Sequence, residues 1–128
     1  MSKNHSSRFL RLVDTAKATV PEFTVQQVRA LLASEEACMV VDVREQDEWS
    51  AGHIEGAVHL SKGVIERDIE QAVPDTGTLM VLYCGGGFRS ALAAAALHAM
   101  GYSQAVSMAG GWREWCATKD TVPGSERS

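Results

Sequence analysis

Residues 79 to 101, LMVLYCGGGFRSALAAAALHAMG, constrain the chain more than any other stretch. An apolar run stops at Cys84, three glycines follow at once, and Phe88, Arg89 and Ser90 lead into an alanine-rich segment. The first part has the composition of a buried strand and the last that of a helix, which the pattern predicts over residues 89 to 100, stopped by Gly101. Glycine allows the sharp reversal between them. A strand, a tight turn and a helix in immediate succession form the unit from which parallel α/β sheets are built.

The rest of the chain repeats that alternation. CMVVDV predicts a buried strand over residues 38 to 43, EQDEWSAG one helical turn ending at Gly52, and GAVHLS a short strand. A polar helix is expected around residues 62 to 72, a last strand in QAVSMAGG and a last helix in GWREWCAT. FTVQQVRALLASEEA reads as a short extended piece, then a helix with Thr24 and Gln27 spaced as a capping box. Strands that are apolar along their whole length, each separated by a helix, predict an α/β fold with a parallel sheet covered on both faces. Ahead of all this, Phe9, Leu10, Leu12, Val13, Ala16 and Val20 fall near helical spacing, predicting an amphipathic helix over residues 7 to 19, closed by Pro21. Its apolar stripe has to be buried, either on its own domain or on a second subunit, and the short link through Pro21 favours its own domain. The expected division is an N-terminal helical extension over residues 1 to 20, one domain over 21 to 120 and a flexible tail over 121 to 128.

Composition excludes several functions. The 128 residues suit one domain with one core. A net charge of -4, with no Lys/Arg stripe, gives no footing for nucleic acid. No apolar run reaches the ~20 residues of a membrane span. Arg11, Asp14 and Lys17 break up the N-terminal segment where a secretory signal would need an apolar core. Cys38, Cys84 and Cys116 are too few and too widely spaced for a disulfide scaffold or a zinc site. A reduced, cytoplasmic protein without metal or cofactor is the expectation.

Cys84 then acquires a chemical meaning. Ligands of open parallel sheets bind beyond the carboxyl ends of the strands, where this cysteine lies. The backbone-rich loop after it can turn successive N–H groups toward one point, and the following helix adds unpaired N–H donors and the positive end of its dipole. Such a loop is an anion cradle around a thiolate. The alternative is a small buried hydrophobe followed by a plain strand-to-helix turn. A phosphate-binding P-loop is excluded, because no Lys follows the glycines.

Three segments together resemble the single-domain rhodaneses: VVDVREQDEWSAGHIEGAVHL at 40 to 60, YCGGGFRS at 83 to 90 and AGGWREW at 109 to 115. The resemblance implies a five-stranded parallel sheet flanked by helices, and sulfurtransferase activity through a cysteine persulfide. It implies that Cys84 is the sulfur-carrying nucleophile and that Gly85, Gly86, Gly87, Phe88, Arg89 and Ser90 form the loop around the transferred sulfur. Asp42, Arg44 and Glu48 match polar positions that buttress the site, and His53 and Gly56 match the turn after it. The substrates implied are a small sulfur donor, thiosulfate or a persulfide, and a cyanide or thiol acceptor, with a sulfur-accepting protein as a further partner. A sulfur-carrier or non-catalytic domain is the second reading. Cysteine phosphatases and arsenate reductases share the cysteine-loop-helix design but need C-x5-R, whereas four residues separate Cys84 from Arg89. One departure from the family stands out: Gly85 and Gly86 occupy positions where many thiosulfate-using members carry a basic or bulkier side chain, which implies fewer cations in the pocket.

Individual side chains carry their own expectations. Arg89 either binds the substrate anion or braces the loop by pairing with Asp42 or Glu48. Ser90 either hydrogen-bonds the sulfur or caps the helix. Phe88 is expected at the pocket rim, Cys38 in the core beside Val40 and Val41, and Cys116 partly exposed without a role. His53, His59 and His98 read as structural, and Trp112 and Trp115 as one helix face packed on the sheet.

Overall fold

A computed structural model describes residues 5–118. The expected tail over residues 121 to 128 lies outside the described residues. In chain order the elements are α1 (Ser7–Lys17), β1 (Glu22–Phe23), α2 (Val25–Ala33), β2 (Met39–Asp42), α3 (Gln46–Ala51), β3 (Val58–His59), α4 (Ile65–Ala72), β4 (Met80–Tyr83), α5 (Phe88–Ala99), β5 (Ala105–Met108) and α6 (Gly111–Thr118). Five parallel strands form one sheet in the order β1-β5-β4-β2-β3, with β4 in the middle. The expected α/β architecture, five strands and flanking helices, is the one observed.

Side-chain alternation along the strands divides the core in two. Val41, Met80, Leu82, Cys84 and Ala105 face a cluster closed by Ile65 and Ile69 of α4 and Ala93, Ala94 and Leu97 of α5. Val40, Val81, Tyr83, Val106 and Met108 face the other cluster, with Val25 and Val28 of α2 and the half-buried Trp112 and Trp115 of α6. The tryptophan pair thus forms the sheet-facing side of α6, as its spacing predicts. Because a strand exposes both faces to helices, its residues are apolar without interruption.

Local chemistry fixes the helix starts. The Thr24–Gln27 capping box closes with bonds of 3.0 and 2.7 Å, and Ser6 caps α1 by accepting from the Phe9 amide at 3.2 Å. A helix over 7 to 19 is two residues shorter in the structure, because Thr19 and Val20 turn back on the carbonyl of Ala16. α1 packs along α5, burying Val13 and Ala16 against its alanine-rich surface. Burying a Val side chain of this kind stabilises the fold by ~1.5–3 kcal/mol, so α1 contributes to the stability of the whole. Cys38 departs from expectation. It lies half-buried just before β2 rather than in the core, since the strand begins at Met39. Burial, then the charge of Glu36, pushes its thiol pKa up.

Candidate active site

Cys84 follows the last residue of β4 directly and is buried. Its carbonyl and that of Gly85 accept from the amides of Trp112 and Arg113, at 2.7 and 3.1 Å, so the start of α6 clamps the loop from one side. Gly111 makes the clamp possible. It holds φ +58°, and a Cβ there would collide with the Cys84 carbonyl oxygen and lie 2.8 Å from the Gly85 carbonyl. Gly87, at φ +99°, precedes α5, and a Cβ on it would come within 3.2 Å of the Gly110 nitrogen.

The loop wraps the sulfur. The amides of Gly87 and Ser90 donate to Cys84 Sγ at 3.1 and 3.3 Å. The Ser90 hydroxyl lies 3.5 Å from Sγ and 2.8 Å from the hydroxyl of Ser107 on β5. Of the two roles open to Ser90, the sulfur contact is therefore the observed one; it sits in the first turn of α5, after its N-cap, Gly87. Among the described residues, the N–H groups of Gly86, Phe88 and Arg89 find no protein acceptor. They remain available to an anion bound over the cysteine.

Two ion pairs hold this arrangement. Arg89 takes the bracing role: its guanidinium meets both oxygens of Glu48, at 3.0 and 3.1 Å. The hydrogen bond from Arg89 holds the Glu48 carboxyl well below its usual range, to about 2, and Glu48 raises the Arg89 pKa in return. Asp42 is not the partner of Arg89. It forms a buried bidentate pair with Arg44, with contacts of 2.7 to 3.1 Å, at the carboxyl end of β2. Arg44 also donates to the Gly52 carbonyl at 2.6 Å and lies over the rings of Trp112 and Tyr83, at 5.0 and 5.6 Å. Burial raises the pKa of the Tyr83 hydroxyl and keeps it neutral, while it accepts from the Ile54 amide at 3.0 Å. Removing one partner of a buried pair such as Asp42–Arg44 costs ~3–5 kcal/mol.

The histidines named by sequence lie apart from the cleft lining. His53 stacks on Trp49 at 3.5 Å, His59 bonds the Arg44 carbonyl at 2.8 Å and His98 bonds the Ala105 carbonyl at 2.7 Å. Gly56 is a turn residue with φ +86° and open space beside it. Cys116 is exposed on α6.

The cleft above Cys84 has walls that sequence reasoning left out. α1 supplies Phe9 and Leu10, and His5 sits with them. Phe88 stands at the rim as expected, its ring edge-on to His5 and Phe9, at 4.9 and 6.2 Å between centroids. Glu45 and Asp47 also line the cleft. Arg113 of α6 is also in the lining, with Nη1 3.2 Å from the point a Cβ on Gly86 would occupy. The expectation of a cation-poor pocket is therefore corrected: the space beside Gly86 is filled by a guanidinium from another element. No sequence signal links residues 86 and 113 except their segments' places in the family pattern.

Fold and site together define an α/β protein whose central strand presents a cysteine sulfur to a ring of backbone amides. Residues 24–118 match the profile of the rhodanese-like domain, and the chain belongs to that family. It is 38% identical over 96 residues to thiosulfate sulfurtransferase GlpE of Pseudomonas entomophila (strain L48), an alignment covering 75% of this chain and 84% of the relative. A Bacillus subtilis (strain 168) protein named "Putative sulfur carrier protein YrkF" is 26% identical over 98 residues, covering 77% of this chain and 52% of that one. Among solved structures, a protein of unknown function described as a possible tyrosine phosphatase, from Rhodopseudomonas palustris CGA009, superposes with a TM-score of 0.77 at 26% identity. That likeness covers 92% of this chain and 96% of the other.

Proposed function

We propose that the protein is a sulfurtransferase that moves a sulfane sulfur from thiosulfate, or a persulfide donor, to cyanide or a thiol through a persulfide on Cys84. The observation that carries the reading is the pair of amides, Gly87 and Ser90, aimed at Sγ from 3.1 and 3.3 Å. In the first half-reaction the Cys84 thiolate attacks the outer sulfur of thiosulfate, the S–S bond of the donor breaks, and sulfite leaves with the electron pair. The persulfide is an anion without a counter-ion. The amides of Gly86, Phe88 and Arg89 are its natural donors, each charge-assisted bond contributing ~1.5–3 kcal/mol. In the second half-reaction the acceptor attacks that outer sulfur, and thiocyanate or a new persulfide leaves as the thiolate is restored.

The other residues support this centre. Gly85 to Ser90 form the cradle, Glu48 and Arg89 tie it to α3, and Asp42 and Arg44 stiffen the strand end beside it. Residues 1 to 20 act as an extension to a domain spanning 21 to 120, and its His5, Phe9 and Leu10 wall the cleft. A reducing, cytoplasmic setting suits a cysteine that must return to its thiolate after each cycle, and Cys38, Cys84 and Cys116 are all free. No helix among the described residues is long and apolar enough to cross a membrane.

A non-catalytic or sulfur-carrier domain acting through a protein partner is the second reading, and the likeness to the protein named putative sulfur carrier protein YrkF favours its carrier form. Phosphate-ester chemistry has less support, because Arg89 is engaged by Glu48 and the loop is C-x4-R. The test is cyanide-dependent thiocyanate formation. Cys84→Ser abolishes it with the fold intact; activity that survives in Cys84→Ser but is lost in Cys38→Ser or Cys116→Ser refutes the assignment.

A further inference from the structure

Three arginines surround the loop, and two are committed: Arg44 to Asp42, and Arg89 to Glu48. Arg113 has no ion-pair partner among the described residues. Arg113 is exposed, and its backbone is held beside the loop by its own amide, which donates to the Gly85 carbonyl at 3.1 Å. From there the side chain runs alongside Gly86 and into the lining of the cleft that holds Cys84. All three atoms that a Cβ on Gly86 would meet, at 3.2 to 3.8 Å, belong to the Arg113 guanidinium. The absence of a side chain at 86 therefore makes room for that group.

We propose that Arg113 is the donor-binding residue of this site, holding the anionic end of a sulfonate-type sulfur donor beside Cys84 in place of a cation from the loop itself. The inference rests on the sulfurtransferase reading for its substrate and on local geometry for its anion site. A guanidinium suits this role because its planar fork matches two oxygens of a sulfonyl group. The charge balance of the cleft sharpens the assignment. Arg89 is paired with Glu48 and also feels the charge of Glu45, which leaves Arg113 as the one guanidinium of the cleft lining without an ion pair among the described residues. Three carboxylates (Glu45, Asp47, Glu48) against two guanidiniums (Arg89, Arg113) give the lining a formal charge of -1, and losing Arg113 takes it to -2, further against a doubly negative donor. Gly86 has no left-handed backbone to forbid a side chain, so a cation can be moved from α6 to the loop.

The experiment compares wild type, Arg113→Ala, Arg113→Lys and the double variant Gly86→Lys/Arg113→Ala. One readout is the thiosulfate concentration that half-saturates sulfur loading. The other is the ratio of Cys84 alkylation rates by iodoacetate and iodoacetamide, which senses a cation near the sulfur and needs no sulfur transfer. Arg113→Ala is expected to raise the half-saturating concentration about 10-fold with little change in maximal rate, and to lower the alkylation ratio about 10-fold. Arg113→Lys and the double variant are expected to recover most of both. An alkylation ratio in Arg113→Ala within about two-fold of wild type overturns the assignment. If wild type takes no sulfur from thiosulfate or from a low-molecular-weight persulfide while the ratio still falls, the anion site stands and the sulfurtransferase reading fails.

Discussion

Glu48→Gln isolates one interaction of the site. Glutamine keeps a side-chain oxygen for the Glu45 amide, which Glu48 now accepts at 2.9 Å, so the start of α3 stays capped. What disappears is the charge facing Arg89. The carboxyl pKa drop from 4.5 to about 2 corresponds to an unscreened ceiling of roughly 3 kcal/mol, at about 1.4 kcal/mol for each tenfold. Both side chains keep about a third of their surface in water, 32% and 35%, and screening brings the expected loss to about 1 kcal/mol at pH 7. The sign follows from the lowered value. The contribution is fully present above the unfolded pKa near 4.5, then declines as pH falls through the folded value of about 2. Denaturant titrations of both proteins at pH 7, and at steps below 4.5, measure that difference. Because Arg89 backs the loop, with Nη2 3.2 Å from where a Gly85 Cβ would lie, the variant is also expected to lose about 10-fold in sulfur-transfer rate through a loosened cradle. A variant as stable as wild type at pH 7, with the same rate, refutes the bracing role.

Two further perturbations follow from the same geometry. Ser90→Ala leaves the buried Ser107 hydroxyl without its 2.8 Å partner, so each single serine variant should cost about 1–2 kcal/mol and Ser90→Ala/Ser107→Ala less than their sum; additive losses measured by denaturation contradict the pair. Gly111→Ala drives a Cβ into the Cys84 carbonyl at a left-handed φ of +58°, and should cost about 3 kcal/mol and most of the activity. Wild-type stability there removes the clamp between α6 and the loop.

The sequence carried the sheet and the position of Cys84 at the strand end because both are local. Uninterrupted apolar strands, the capping box at Thr24 and the glycines after Cys84 are written in adjacent residues. The pairings were less legible, since they join distant segments. Nothing near Arg89 chooses Glu48 over Asp42; that choice depends on Asp42 being taken by Arg44 at the end of β2. Ser107 looks like an ordinary strand residue until β5 is placed beside β4. Phe9 and Leu10 read as a stripe seeking burial, and only the packing of α1 along α5 brings them to the cleft. The glycine at 86 suggested a pocket with little positive charge, whereas the guanidinium beside it comes from residue 113. Cys38 failed for a simpler reason, the one-residue uncertainty of a strand's start.

The central claim is that Cys84 carries the transferred sulfur, and mass spectrometry of the intact protein and its peptides after incubation with thiosulfate tests it most directly. The expected result is a gain of one sulfur atom, located on the peptide containing Cys84 and removed by cyanide with release of thiocyanate. An unmodified Cys84, or the added sulfur found on Cys38 or Cys116 instead, would contradict it.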